Sequence, residues 1–117
     1  MKPKREYLDY LQDILDASQK AGEFITDLDL ERFEKDEKTV FAVIRTLEII
    51  GEAARHIPKS IQESYSQIPW EDIVGMRNIV IHEYFGIDTE VIWRTVKEDL
   101  PRLKEAIAEI LLKLKKE

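Results

Sequence analysis

The chain has 117 residues, a length that fits one domain with a single hydrophobic core. It contains no cysteine, which excludes disulfides and thiolate metal sites. Its net charge of −6 disfavours broad, non-specific binding to nucleic acid, because phosphate attraction supplies most of that affinity. No segment is as long and apolar as a membrane span, and the first residues lack the apolar run of a signal peptide. We therefore expect a single soluble, cytoplasmic domain over residues 1–117.

Helical periodicity dominates the first half of the chain. Pro3 is typical of a helix start and opens a predicted first helix with an apolar stripe. The charged, unperiodic segment 27–35 predicts a loop or a ragged helix end. Asp36 is a predicted N-cap for a second long helix, from Glu37 to about His56. Apolar residues surround much of this second helix, which predicts burial on two sides.

The second half of the chain continues the same pattern. Pro58 starts a predicted short helix through Tyr65, and Asp88 can cap a later one. Pro101 predicts either a kink in that later helix or the start of a new one. These elements predict an all-α fold, an up-and-down bundle of about five helices.

The segment between Ile68 and Asp88 predicts the helix that we expect to carry function. Pro69 is typical of a first helical position, and Gly86 is typical of a helix end. The residues between them are apolar on more than one side of the helix. A helix at a solvent-exposed surface has fewer apolar residues than this. This pattern predicts a central position in the bundle.

Three polar residues stand within this apolar helix, Arg77, Asn78 and His82, and Tyr84 follows two residues after His82. Buried polar groups cost free energy unless they find partners, so they require an explanation. On a regular helix Tyr84 lies about −20° and His82 about 140° from Arg77, so one helix does not converge Arg77 and His82 on one atom. Either the helix ends near His82, or a second copy of the chain supplies the missing group. We favour a two-fold homodimer that brings two copies of Arg77 and His82 around one cleft.

A second polar feature follows the helix predicted over residues 37–56. Four charged residues step by three, four and three positions and so predict one polar stripe. They are Arg45, Glu48, Glu52 and Arg55. One interpretation is an ion-paired ladder at an interface; the other is that the stripe faces the dimer cleft and binds substrate or orients Arg77 and His82. His56 fits a favourable charge near a helix C-terminus, and we assign it no chemistry.

The motif in residues 77–84 is Arg, four residues, His, one residue, Tyr. It resembles the signature of the HepT-like branch of HEPN-domain proteins. The run LEIIGEAARHIP over residues 47–58, the IPW before the motif and the GMRN leading into it are also similar to that family. The likeness extends from Tyr7 to Leu112 and implies a HEPN-like helical domain that forms a homodimer.

The resemblance also implies a function, that of a ribonuclease toxin in a type VII toxin–antitoxin pair. The implied partner is an MntA-like nucleotidyltransferase antitoxin, which transfers AMP from ATP onto Tyr84. RNA carries its own nucleophile, the ribose 2′-OH, so its cleavage requires a base, an acid and a cation, with no metal and no cofactor. His82 fits the first two roles and Arg77 the third, while Asn78 can orient His82 or donate to a phosphate oxygen.

Other interpretations of the same residues stay open. Apart from the family resemblance, His82 fits a neutral core histidine, Arg77 an ion-pair partner at an interface and Tyr84 an interface tyrosine. The rival function is a non-catalytic helical subunit that binds nucleotide and partners a nucleotidyltransferase. The acidic net charge favours the rival, and the complete Arg–His–Tyr set favours the ribonuclease.

Overall fold

The computed structural model describes the backbone of residues 3–82 and 88–116 and the side chains of residues 7–76 and 88–116. In these ranges the chain forms α-helices and one π-helical turn, without a strand, which confirms the all-α class. The helices are α1 (Pro3–Phe24), α2 (Leu30–Lys35), α3 (Glu37–Arg55), α4 (Lys59–Ser64), α5 (Trp70–His82), α6 (Thr89–Arg94) and α7 (Leu100–Lys115). None of these described helices is long and apolar enough to cross a membrane.

Four of the helices, α1, α3, α5 and α7, form the body of the bundle. The most extensive packing joins α1 to α3 and α3 to α5, and α7 packs on α1. The side chains of Leu11, Ile14, Val43, Ile50 and Ile107 have no exposed surface and form the centre of the core. The short helices α2, α4 and α6 lie in the connections. This architecture confirms the predicted helical bundle.

Aspartate side chains begin three of the helices as N-caps. Asp36 accepts a 3.1 Å hydrogen bond from the backbone N–H of Thr39, and Asp88 accepts one of 3.2 Å from Val91. Both caps are as the sequence predicts, because a short acidic side chain satisfies an N–H group that has no partner within the helix. Helix α3 starts at Glu37 as predicted, and it ends at Arg55, within one residue of its predicted end, since His56 is its C-cap.

The segment 27–35 is better ordered than its sequence predicts. It contains α2, which Asp29 caps by accepting a 2.8 Å hydrogen bond from the backbone N–H of Arg32. Phe33 has no exposed surface, and its ring centroid lies 5.3 Å from that of Trp93. A six-residue helix is marginal by itself, so burial of Phe33 against a distant part of the chain stabilises it.

Pro101 lies at the junction where the sequence predicts a kink or a new helix. The π-helical turn Thr95–Asp99 joins α6 to α7, and the backbone N–H of Leu100 donates to the carbonyl of Thr95, five residues back. Proline has no N–H to donate, and its ring clashes with the carbonyl four residues earlier in a regular helix. The wider π turn relieves both problems at the start of α7.

Replacing Phe33 with alanine tests whether distant packing holds α2. We expect Phe33→Ala to lower the free energy of unfolding by about 3–5 kcal/mol, because it removes a fully buried aromatic side chain. Urea denaturation followed by circular dichroism measures this change. The matched control is Phe24→Ala, since Phe24 is 41% exposed and should lose much less. Equal losses in the two variants would contradict this account.

The Asp36 cap predicts a specific dependence of stability on pH. Hydrogen bonds from the hydroxyl and the backbone N–H of Thr39 lower the pKa of Asp36 below its ordinary value of 3.8. A carboxyl whose pKa falls on folding stabilises the folded state above its ordinary pKa and loses that effect as pH falls through the lowered value. The stability of the wild type relative to Asp36→Asn should therefore shrink below about pH 3.8.

Asp36→Asn is a suitable reference because asparagine caps a helix but does not titrate. Thermal unfolding of both proteins between about pH 2 and pH 7 gives the difference directly. A constant difference across that range would rule out the contribution of the Asp36 carboxylate.

Candidate active site

The start of α5 is firmly anchored. Trp70 is only 6% exposed, and its indole N–H donates a 3.1 Å hydrogen bond to the carbonyl of Tyr65. The backbone N–H of Ile73 donates to the carbonyl of Pro69 at 3.1 Å. Pro69 thus lies just before α5 instead of at its first position, a shift of one residue from the prediction. This anchoring fixes the direction in which the helix carries its later residues.

The predicted site residues Arg77, Asn78 and His82 lie in the last two turns of α5. The backbone is helical through His82, so Arg77 and His82 are about 140° apart around the axis and roughly 7.5 Å apart along it. The helical backbone therefore separates positions 77 and 82 as the sequence predicts. The side chains of residues 77–82, and Tyr84 and Gly86 entirely, lie outside the described residues, so their roles stay predictions.

The position of α5 in the bundle differs from the prediction. In the described part of the chain α5 packs extensively on α3 alone, whereas α1 and α3 each lie between two other long helices. Ile73 is buried, whereas Val74 and Met76 are only half-buried. The central helices of the subunit are therefore α1 and α3, and part of α5 is open in a single copy of the chain.

A cleft of about 360 Å³ runs beside this open side of α5. Its walls are mainly apolar and include Ile73 and Met76 from α5 and Leu103 and Ala106 from α7. Asp72, Asp99 and Arg102 contribute charged groups to it. The cleft reaches Met76, the residue before Arg77, and so lies next to the predicted site.

The charged stripe predicted on α3 is confirmed as an ion-paired series. Arg45 Nη1 lies 3.6 Å from Glu48 Oε1, and Arg55 Nη2 lies 3.0 Å from Glu52 Oε2. The Arg45 side chain is 71% exposed and that of Arg55 is 59% exposed. Exposed ion pairs of this kind contribute little to stability because water screens them. Their role in the single subunit is therefore small.

Helix α1 adds two residues to this stripe that the sequence did not single out. Tyr10 and Asp13 face α3 across a cleft of about 380 Å³, which Arg45, Glu48 and Glu52 also line. The ring of Tyr10 stacks on His56 with centroids 4.6 Å apart, and Glu52 lies 3.8 Å from His56. The sequence alone does not indicate Asp13, because only the packing of α1 on α3 brings these residues together. The aromatic Tyr10 among charged neighbours is the one signal that could have indicated it.

The electrostatic environment of the α1–α3 cleft is acidic on the α1 side. Partial burial, followed by the nearby carboxylates of Asp16 and Asp9, raises the pKa of Asp13 above its ordinary value. The charge on Asp13 is therefore unfavourable unless a cation approaches. Among residues with described side chains, no three histidine, aspartate or glutamate groups converge to hold a metal ion.

A comparison of the sequence with known protein families gives a match that covers most of the chain. The family described as "Ribonuclease HepT-like" matches residues 14–110, a range that includes the motif over residues 77–84. The chain belongs to this family. The family expected from the sequence is thereby confirmed, and membership supports a ribonuclease activity.

Several relatives align with the HepT-like chain over nearly their whole length. A protein of Thermococcus cleftensis named "Probable ribonuclease HepT" is 50% identical over 101 residues, 86% of this chain and 92% of its own. One from Methanocaldococcus jannaschii is 44% identical over 104 residues, 89% of this chain and 95% of its own. One from Caldanaerobacter subterraneus is 41% identical over 115 residues, 98% of this chain and 100% of its own. The last two are each named "Putative RNase". No solved structure matches the chain.

Proposed function

We propose that this HepT-like protein is a metal-independent endoribonuclease that acts as a two-fold homodimer, with Arg77 and His82 as its catalytic residues. The observation that carries the proposal is the family match over residues 14–110, within which a regular helix bears Arg77 and His82. Because these residues diverge around one helix, a single subunit does not present both to one phosphate. Two subunits related by a two-fold axis place two copies of each residue around one cleft.

In this proposal the RNA supplies the nucleophile. One His82 removes the proton from a ribose 2′-OH, and the 2′ oxygen forms a bond to the adjacent phosphorus. The bond from phosphorus to the 5′ oxygen breaks, and His82 of the partner subunit gives that oxygen a proton. The products are a 2′,3′-cyclic phosphate and a 5′-hydroxyl. Arg77 stabilises the charge on the pentacoordinate phosphorane because its guanidinium is always charged and donates in a fork.

Neighbouring polar residues support these two in the proposal. Asn78 orients His82 or donates to a phosphate oxygen. Arg45, Glu48 and Glu52 bind substrate or hold Arg77 and His82 in position from α3, the helix on which α5 packs. Such support matters because catalytic groups act only when neighbouring contacts fix their orientation.

The proposal extends to regulation and to the partner. The protein acts in the cytoplasm as the toxin of a type VII pair, and an MntA-like nucleotidyltransferase is its antitoxin. The phenol oxygen of Tyr84 attacks the α-phosphorus of ATP, a tyrosyl–AMP bond forms, and pyrophosphate leaves. The added phosphate pairs with Arg77 and fills the RNA site with negative charge, which blocks cleavage.

The second candidate function is a non-catalytic helical subunit that binds nucleotide and partners a nucleotidyltransferase. The net charge of −6 favours it, because an acidic surface opposes the approach of RNA. In that case Arg77 and His82 bind a nucleotide phosphate and cleave nothing.

Substitution of His82 distinguishes the two functions. We expect His82→Ala to slow cleavage of a labelled single-stranded RNA by about 10²–10⁴-fold or more, the usual contribution of a general acid or base. Single-turnover rates and detection of the cyclic phosphate measure this loss. EDTA should leave the wild-type rate unchanged.

The chain offers a matched control, because His56 is its only other histidine. His56→Ala should cleave RNA at a rate close to that of the wild type. Intact RNA with both wild type and His82→Ala would favour the non-catalytic subunit. Loss of wild-type cleavage in EDTA would contradict the metal-independent mechanism.

Modification of Tyr84 is a separate prediction. Incubation with the cognate nucleotidyltransferase and ATP should add AMP to wild type but not to Tyr84→Phe, as peptide mass mapping would show. Cleavage by the wild type should fall with the modified fraction, whereas Tyr84→Phe should keep its activity. Tyr65→Phe is the control and should accept AMP normally. Adducts on another residue, or none, would disprove the assignment of Tyr84.

A further inference from the structure

The cleft between α5 and α7 has the size of a small-molecule site. Its volume of about 360 Å³ lies within the usual range of ligand pockets. Buried Ile73 and Leu103 and half-buried Met76 and Ala106 form its apolar walls. Ala106 has the smallest side chain of the four, so it leaves room on the α7 wall. The thioether of Met76 is polarizable and adapts its shape to what lies against it.

Three charged side chains give this cleft chemical selectivity. Asp72 comes from the first turn of α5, Asp99 ends the π-helical turn, and Arg102 lies in the first turn of α7. All three are exposed, and none of them forms an ion pair with another described side chain. Their hydrogen-bonding groups are therefore directed to solvent or to a ligand.

The carboxylates of Asp72 and Asp99 disfavour a purely apolar occupant of the cleft. Such an occupant would take water from the carboxylates and offer no donor in return, which costs free energy. A nucleobase has flat apolar faces, which pack against aliphatic walls, and polar groups at its edge. Carboxylate oxygens only accept hydrogen bonds, so they fit the amino groups of adenine, cytosine and guanine. Uracil has no amino group and presents carbonyl oxygens, which the carboxylates repel.

The cleft lies beside the backbone position of Arg77. On the regular helix α5, Ile73 lies about −40° and Met76 about −100° from Arg77, whereas His82 lies about 140° away in the other direction. Position 77 is thus between the cleft and position 82 around the helix axis, and roughly 6 Å beyond Ile73 along it. In the proposed function Arg77 binds the scissile phosphate, so a nucleotide that adjoins this phosphate reaches the cleft with its base.

Arg102 adds a cation to the same edge of the molecule. Its guanidinium is always charged and matches the geometry of a phosphate. RNA that places a base between α5 and α7 carries a further phosphate along the α7 side of the cleft, where Arg102 lies. Walls, carboxylates and guanidinium therefore correspond to the faces, the edge and the backbone of one nucleotide.

We propose that the α5–α7 cleft binds one nucleobase of the RNA, next to the scissile phosphate, and favours a base that carries an amino group. This inference rests on the proposed function, in which RNA is the substrate. It adds a subsite, and with it a source of sequence preference.

Filling the cleft tests the proposal. We expect Ala106→Leu, which changes no charge, to raise the Kd for a short single-stranded RNA by roughly tenfold, the scale of one lost base contact. Oligonucleotides with 2′-O-methyl groups lack the nucleophile, so fluorescence anisotropy measures their binding without cleavage. Ala108→Leu is the matched control, because Ala108 is also half-buried on α7 but does not line the cleft. Circular dichroism checks that both variants keep their helices.

The carboxylates predict a base preference. Among RNAs that differ only in one base beside the cleavage site, the wild type should cleave those with adenine, cytosine or guanine about fivefold or more faster than those with uracil. The double variant Asp72→Asn/Asp99→Asn should lose most of this preference, because an amide both donates and accepts. Equal cleavage of all four bases at both neighbouring positions would overturn the assignment of a base to the cleft.

Arg102 predicts a change in salt dependence. Arg102→Ala should weaken binding of all sequences alike and reduce the slope of log affinity against log salt by about 0.7, the value for one phosphate contact on a single strand. Arg94→Ala is the control, since Arg94 is an exposed arginine that pairs with Glu90 and does not line the cleft. An unchanged slope in Arg102→Ala would remove the phosphate contact from the proposal.

Binding and cleavage together separate this inference from the proposed function. If Ala106→Leu weakens binding of 2′-O-methyl RNA but the wild type leaves unmodified RNA intact, the subsite stands and the ribonuclease is wrong. If the wild type cleaves RNA, His82→Ala does not, and Ala106→Leu binds as tightly as Ala108→Leu, the subsite is wrong and the ribonuclease stands. A wild type that neither binds nor cleaves RNA would overturn both.

Discussion

The burial of α3 on two sides is the constraint on which the rest of the structure depends. Val43 and Ile50 have no exposed surface, and Leu47 and Ala54 are nearly as well buried. Covering this much apolar surface requires a helix on each side, and α1 and α5 supply it. With two sides covered by its own chain, α3 has one more open side, which carries the charged stripe of Arg45, Glu48, Glu52 and Arg55. The core thus decides both where the motif helix lies and which surface remains for another molecule.

The motif helix gains its direction from contacts far from the motif residues. Trp70 fixes the first turn of α5 through burial and a hydrogen bond to Tyr65, and Ile73 packs into the core. Residues 77–82 then extend from this anchor on regular helical backbone. Catalytic groups on a helix anchored in this way are held more precisely than groups on a loop. In the proposed dimer, both copies of the motif helix have the same geometry by symmetry.

The acidic net charge agrees with a site in which the basic side chains of the chain lie close together. RNA does not adhere widely to a chain of net charge −6, so binding must arise where arginines are brought together. The proposed two-fold pair, with two copies of Arg77 around one cleft, meets this requirement. It would also favour RNA that enters a confined site over RNA that lies along the surface.

The sequence by itself determined the helical class, the caps at Asp36 and Asp88, the polar stripe on α3 and the family. Each of these depends on residues a few positions apart, where local hydrogen bonds and helical periodicity decide the outcome. Only the tertiary structure decided that α1 and α3 are the central helices, that Phe33 orders α2 and that Tyr10 and Asp13 of α1 join the charged stripe. These depend on contacts between distant segments, and no local spacing encodes which surfaces meet when the chain buries its apolar residues.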